Sequence, residues 1–579
     1  MRKNYNPNQF EMNLKNLNNV TRLIILTITV IFFVSCHNRN PRNNVSLTGW
    51  SSKDKKAAGF AGDVKYKGQE APPGMVLIEG GSFTMGHVQD DVMFDWNTTP
   101  AQQQVRSFYM DETEVTNSEY LFYLQWMEKV FPPNDPNYAH IYESSVPDTL
   151  VWRDVLGFNE SLIENYLRHP GYADYPVIGV SWIQATQYCK WRTDRVNEKI
   201  LMDKGVLKPL FELDSLEVKG ENNFNTDTYL NNPYSLFDGD STIYRKGLPD
   251  NKQRKKGEAK PSRGAFTGRQ VKISDGILSS KFRLPTEVEW EFAAKAVVED
   301  REYNNTRGRK KYAWKGKYTR NKSKKDQGDQ LANFKQGKGD YSGVPGWSND
   351  GAAITIAVKS YEPNAFGLYD MSGNVAEWVA DVYRPIIDNE ANDFNYFRGN
   401  IFTKKMIDAE GNVVIANDQN VKYDTLDNGV IMSKSLPGSV KYIPVTMRDA
   451  YMRTNYEKAY NVDIKDGDLA STKFYGKNVE EMETKPRMYN SPVKPRVIGE
   501  SGLLMQEYDV KKRTTLVSDA TRVYKGGSWK DMEYWLDPSQ RRYLPEYMAT
   551  NYIGFRCASD RIGPMTYKKR KPTTTKIRY

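Results

Sequence analysis

The chain of 579 residues is 39% hydrophobic and 12% aromatic, enough for a sizeable core, which excludes disorder throughout. Its net charge of +10 is spread along the sequence with no nucleic-acid motif beside it, which argues against a nucleic-acid-binding class. Sequence motifs run from residue 75 to residue 558, a spread that fits one domain with large insertions better than several domains in a row.

Residues 1–35 have the order of a signal peptide. A basic, Asn-rich stretch precedes the apolar run Leu23–Val34, which is too short to span a bilayer as a helix, and Ser35-Cys36 follow. Met12 is a workable start for such a peptide. Phe33-Val34-Ser35-Cys36 resembles a bacterial lipobox, whose cysteine carries lipid and anchors the protein without spanning the membrane; an ordinary signal peptide with an incidental cysteine is the alternative. Residues 36–72 are polar, basic and poor in aliphatics, and read as a tether. No acidic run follows Cys36, which points to the periplasmic face of the outer membrane rather than the cell surface.

The core is expected over residues 73–560. MVLIEGGSFTMG reads as a strand entering a hairpin, and it lacks the lysine and following helix of a phosphate loop. Three helix starts carry a capping box: Thr116 with Glu119, Ser181 with Gln184, and Thr286 with Glu289. Apolar spacing supports each, through Leu121, Leu124 and Met127 or Val130, through Ala185, Tyr188 and Cys189, and through Trp290, Ala293 and Ala294. Two polar, weakly periodic stretches, about 193–282 and 382–521, read as insertions with little assignable secondary structure; they serve either as solvated loops or as contact surfaces. Residues 561–579 form a basic tail, either solvated or facing anionic lipid or an acidic partner.

Between Asp350 and Glu377, the oxygen-bearing side chains of Asp350, Asp370, Asn374 and Glu377 alternate with Gly351, Gly367 and Gly373. Such a pattern either makes turns or converges carbonyls and carboxylates on a hard cation such as calcium.

The stretch FGLYDMSGNVAEW at 366–378 resembles the signature of the formylglycine-generating-enzyme-like, or sulfatase-modifying-factor, family. The set is completed in order by GGSFTMG at 80–86, EVTN at 114–117, YPV at 175–177, VSW at 180–182 and YCKW at 188–191. RLPTEVEWEFAA at 283–294, KGGSW at 525–529 and GFRC at 554–557 follow. The resemblance implies an α+β fold of low regular secondary structure, related to the C-type-lectin-like fold and here carrying the two insertions. It also implies a disulfide between Cys189 and Cys557, with two buried free thiols as the alternative.

In the family, copper is held by two cysteines after GGS, and here Asp531 and Leu536 stand at those positions. Without thiolates a copper(I) site cannot form, so the resemblance implies no copper and no formylglycine generation. His37, His87, His140 and His169 show no ligand spacing, and no catalytic constellation is legible. The family's calcium ligands map onto Asn333, Phe334, Asp350 and Ala352 for one site, and onto Asp370, Gly373, Val375 and Glu377 for the other.

VQDDVMFDWN at 88–97, MDETEVTN at 110–117, VPDTLVWR at 146–153 and YLRHP at 166–170 resemble the gliding-motility lipoproteins of Bacteroidetes that work with the type IX secretion system. The resemblance implies a non-catalytic, protein-binding envelope component. The alternatives are a ring-forming secretion lipoprotein of the same group, an envelope enzyme with a site reorganised around Asp531 and Glu533, and a carbohydrate-binding module.

Overall fold

The computed structural model describes residues 69–563 except for several internal stretches, the longer being 87–97, 249–268, 299–309, 337–351, 384–402 and 445–519. Outside those bounds or within those gaps, backbone pairing is defined for Asn44–Val45 with Trp50–Ser51 and for Val493–Ile498 with Leu503–Tyr508. The signal peptide, Cys36, almost all of the tether, Asp350 and the tail beyond 563 therefore lie outside the described residues. The chain divides into two compact units, 1–67 with 250–258, and 68–249 with 259–579; the second holds everything that follows.

Two four-stranded sheets form the frame. In the first, β1 (Met75–Ile78), β4 (Phe108–Asp111), β10 (Ala558–Asp560) and β5 (Phe282–Arg283) pair antiparallel in that spatial order. In the second the order is β8 (Arg542–Pro545), β7 (Thr521–Lys525), β6 (Ala376–Val382) and β9 (Ile553–Gly554), with β9 parallel to β6. All seven residues of β6 are buried, as a central strand covered on both faces requires.

The Gly80-Gly81 turn differs from its sequence reading. β1 does not pair with β2 (Gly81–Met85); β2 pairs instead with β3 (Ala101–Val105), and β1 joins the first sheet. The turn hands the chain from one sheet to another, and a Cβ on Gly80 would lie 2.3 Å from the Val105 carbonyl oxygen.

All three capping boxes form. Thr116 caps α1 (Asn117–Val130), Ser181 caps α2 (Trp182–Asp203) and Thr286 caps α4 (Glu287–Lys295). Each hydroxyl accepts the N3 amide proton while the N3 side chain accepts the cap's own. The spaced apolar residues follow inward: Leu124, Met127, Val130, Ala185, Tyr188, Cys189, Trp290, Ala293 and Ala294 are buried.

The stretch read as a first insertion is built into the core. Helix α2 continues eleven residues past Arg192, and Leu201, Val206, Leu207, Leu210, Phe224, Tyr229 and Ile243 pack in the same cluster as α1. A short helix α3 (Thr226–Asn231) is capped by Asn225. The described part of the second stretch, 403–444, lies against the first. Asn223 Nδ2 donates to the Pro437 carbonyl at 3.0 Å, Thr228 Oγ1 to that of Gly438 at 2.7 Å, and the Glu221 amide to Asp418 Oδ1 at 3.2 Å. Solvated loops are thus the wrong picture for these residues: their apolar side chains find a shared interior.

Candidate functional site

The turn before β6 is held in a conformation few side chains adopt. Asp370 and Asn374 have φ of 56° and 60°, and Gly373 has φ of 92°. A Cβ on Gly373 would sit 2.6 Å from the Asn333 carbonyl oxygen. Glycine there lets two loops meet, and the Asn374 amide donates to that same carbonyl at 2.9 Å.

Glu114, fully buried in the EVTN motif, grips the turn from the other side. It accepts from Asn374 Nδ2 at 2.8 Å and from the Val375 amide at 3.2 Å. Glu377, also fully buried, accepts from Arg556 Nη2 at 2.6 Å, from Arg556 Nε at 2.7 Å and from Trp290 Nε1 at 2.8 Å. Three carboxyls, Glu114, Asp370 and Glu377, thus share one guanidinium, that of Arg556. Burial first, then Asp370 and Glu377, push the Glu114 carboxyl well above its ordinary range; burial pushes Asp370 up to about 6.

The donors fit calcium unequally at the two expected sites. Asn333 Oδ1 is buried with no hydrogen-bond partner, while its Nδ2 donates to the Ile354 carbonyl at 2.7 Å. A buried acceptor left bare is one that a cation could take up, and Phe334 and Ala352 beside it are buried. At the other site, Asp370, Gly373, Val375 and Glu377 lie in one turn, with an excess of negative charge that a cation relieves. Glu377, however, already meets Arg556 and Trp290, and Asp370 Oδ2 accepts from the Lys359 amide at 3.2 Å. Among the described residues no three His, Cys, Asp or Glu converge as an all-side-chain cage, so a cation at either site leans on backbone carbonyls.

The positions of the family's copper cysteines are filled. Asp531 takes a bidentate pair from Arg542 at 2.5 and 2.6 Å and accepts from Ser528 Oγ at 2.6 Å. The Arg542 guanidinium lies over the rings of Tyr524 and Trp535. Leu536 is fully buried among Tyr312, Ala332 and Phe334, and its carbonyl accepts from Ser372 Oγ at 2.8 Å. Trp529 stacks on Trp152 with ring centroids 5.9 Å apart, and its indole donates to the Asn551 carbonyl. Glu533 pairs with Lys311 and accepts from the Tyr312 hydroxyl. A two-coordinate thiolate site does not fit this arrangement.

Cys189 and Cys557 are brought together, their sulfurs 3.3 Å apart and both buried. His140 faces Glu143 on the short helix Ala139–Glu143 and His169 accepts from the Gly171 amide, so neither joins the site; His37 and His87 lie outside the described residues. Glu114 and Arg556 lie within the EVTN and GFRC motifs, yet the sequence assigns neither a role. For Arg556 the available signal is a charged residue among Gly554, Phe555 and Cys557.

A buried-acid turn is thus locked to Arg556, beside the Asp531–Arg542 pair. Residues 61–424 match the sulfatase-modifying factor enzyme 1-like domain, and the chain belongs to that family. Similar relatives include the formylglycine-generating enzyme of Bos taurus, 21% identical over 331 residues, covering 54% of this chain and 59% of that protein. The enzyme of Streptomyces coelicolor is 36% identical over 103 residues, 18% of this chain and 27% of its own. The inactive C-alpha-formylglycine-generating enzyme 2 of Mus musculus is 36% identical over 107 residues, with the same two shares. The matches thus span between 27% and 59% of these relatives' lengths. Among solved structures, PvdO from Pseudomonas aeruginosa aligns over 84% of this chain and 94% of its own, at a TM-score of 0.35 and 14% identity.

Proposed function

We propose that this chain is a non-catalytic lipoprotein of the outer membrane, anchored through Cys36 on the periplasmic side, that acts as a structural, protein-binding component of gliding-motility and type IX secretion machinery. The observation that carries the non-catalytic part is the Asp531–Arg542 pair with Leu536 buried beside it, which fills the position where the family's enzymes hold copper. The machinery assignment rests on the motifs at 88–97, 110–117, 146–153 and 166–170, which resemble those of the gliding lipoprotein GldJ; the ring-forming GldK, which shares the family core, is the alternative. Calcium, in this reading, is structural and sits at Asn333 and across the turn at Asp370.

Crosslinking and mass spectrometry on intact cells, with the native lipoprotein as bait, tests the assignment. Recovery of secretion or motility envelope proteins, linked through lysines of 403–444, supports the scaffold. Scattered periplasmic proteins at low yield would turn attention to a transient, enzyme-like encounter near Asp531.

A further inference from the structure

We propose that the hairpin at residues 310–331 is an orienting contact with the membrane, a basic surface that takes the phosphate-bearing headgroups of an anionic lipid leaflet. From Lys310 to Lys325 the chain carries eight Lys or Arg residues and no Asp or Glu. Lys315, Lys317, Arg320, Lys322, Lys324 and Lys325 are exposed. Asp326 and Asp329 on the return are the acids of the hairpin itself, and Lys311 pairs with Glu533 at 3.4 Å. Like charges held this close repel one another and draw a counter-charged surface.

The charges sit on a formed frame. The Asn321 amide donates to the Asp329 carbonyl at 2.8 Å, Gly328 to Asn321 at 3.1 Å and Leu331 to Thr319 at 2.8 Å. At the base, Tyr312 and Trp314 stack at 4.7 Å and the Trp314 indole donates to the Tyr318 carbonyl. A pre-ordered loop loses little entropy on contact. The Tyr318 ring is 62% exposed, with Lys322 Nζ 4.3 Å from its centroid. An amphipathic ring among lysines suits the headgroup layer.

The inference rests on the reading that Cys36 carries lipid. Gln69 lies 33 positions along the chain from Cys36, a contour of at most about 120 Å, so a lipid there sets the distance to the leaflet but not the face presented. The hairpin supplies the missing orientation.

The test uses the chain from residue 36 with Cys36→Ala, so that binding owes nothing to acylation. It is sedimented with phosphatidylcholine vesicles, with or without about 30 mol % phosphatidylglycerol, beside a variant in which Lys315, Lys317, Lys322 and Lys324 are glutamine. The parent should bind the anionic vesicles, lose binding at high salt, and bind on the order of a hundredfold more tightly than the variant. An unchanged melting temperature will show that the variant is folded. Equal binding by parent and variant, or none by the parent at low salt, overturns the proposal. Retention on a sulfated-glycan column without vesicle binding overturns it in favour of an acidic macromolecule. Fatty-acid labelling of Cys36 tests the anchor separately: an unlabelled Cys36 with vesicle binding intact sinks the anchor and leaves the hairpin standing.

Discussion

Glu291 is fully buried and touches two lysines, Lys525 Nζ at 2.7 Å and Lys295 Nζ at 2.8 Å, while Glu287 beside it meets Arg541. Burial works to raise the Glu291 carboxyl, and Lys295 and Lys525 more than reverse it, leaving the group at about 2 against an ordinary 4.5. A depressed carboxyl gives stability that is fully present above pH 4.5 and is lost as pH falls towards 2. Thermal melts across that window should therefore show a steep loss in the parent. Glu291→Gln, which leaves two buried ammonium groups short of a partner, should cost about 3–5 kcal/mol at neutral pH and flatten the acid loss. A variant as acid-sensitive as the parent would rule this network out as the cause. Cys189 and Cys557 belong to the same scale. In protein taken from the envelope without reductant, the pair should be unreactive to maleimide after denaturation, and reduction should lower stability by about 2–4 kcal/mol. Two reactive thiols in the unreduced sample would show that the 3.3 Å contact stays open.

Among the elements, the joint between α3 and the 403–444 stretch is the most informative. Gly438 has φ of 79°, and a Cβ there would lie 2.6 Å from the Glu221 carbonyl oxygen and 2.9 Å from Asn223 Nδ2. Gly438→Ala should cost roughly 1–3 kcal/mol through backbone strain and a displaced joint. Hydrogen exchange should rise together in 219–231 and in 403–444. A rise confined to 403–444 would mean that the two stretches are independent. This joint was illegible in the sequence, while the three capping boxes were plain. A cap is decided within four residues, whereas Leu210, Phe237 and Ile243 are buried from short 3-10 turns that impose no period for a pattern search to find. The candidate site divides the same way. Gly373 and Asp370 stand out locally, but the Glu114 to Val375 and Glu377 to Arg556 contacts join residues 261 and 179 positions apart.

For the whole molecule, the proposed calcium should appear as stability. Chelation should lower the melting temperature, and metal analysis of protein purified without chelator should find calcium. Glu377→Ala is a poor probe, because it strips Arg556 of its carboxylate and costs about 3–5 kcal/mol with or without metal. Asn333→Ala is the sharper one, since it breaks no buried ion pair: Oδ1 has no protein partner, and the Nδ2 bond to the Ile354 carbonyl is neutral. The chelator effect should shrink in that variant, and an equal effect in both proteins would move calcium away from Asn333.

The place where the chain enters this fold has a mechanical meaning. Gln69 Nε2 donates to Ser280 Oγ at 3.0 Å and to the Asp560 carbonyl at 3.3 Å, and the Ile562 amide donates back to Gln69 Oε1 at 2.6 Å. Arg192 then holds the Pro73 carbonyl at 2.9 Å before β1 begins. Tension arriving along the N-terminal segment meets this clasp before it reaches β1. The clasp ties together the entry of the fold, its last strand and the segment before β5, so a load is shared among three stretches of chain instead of peeling β1 from the sheet edge.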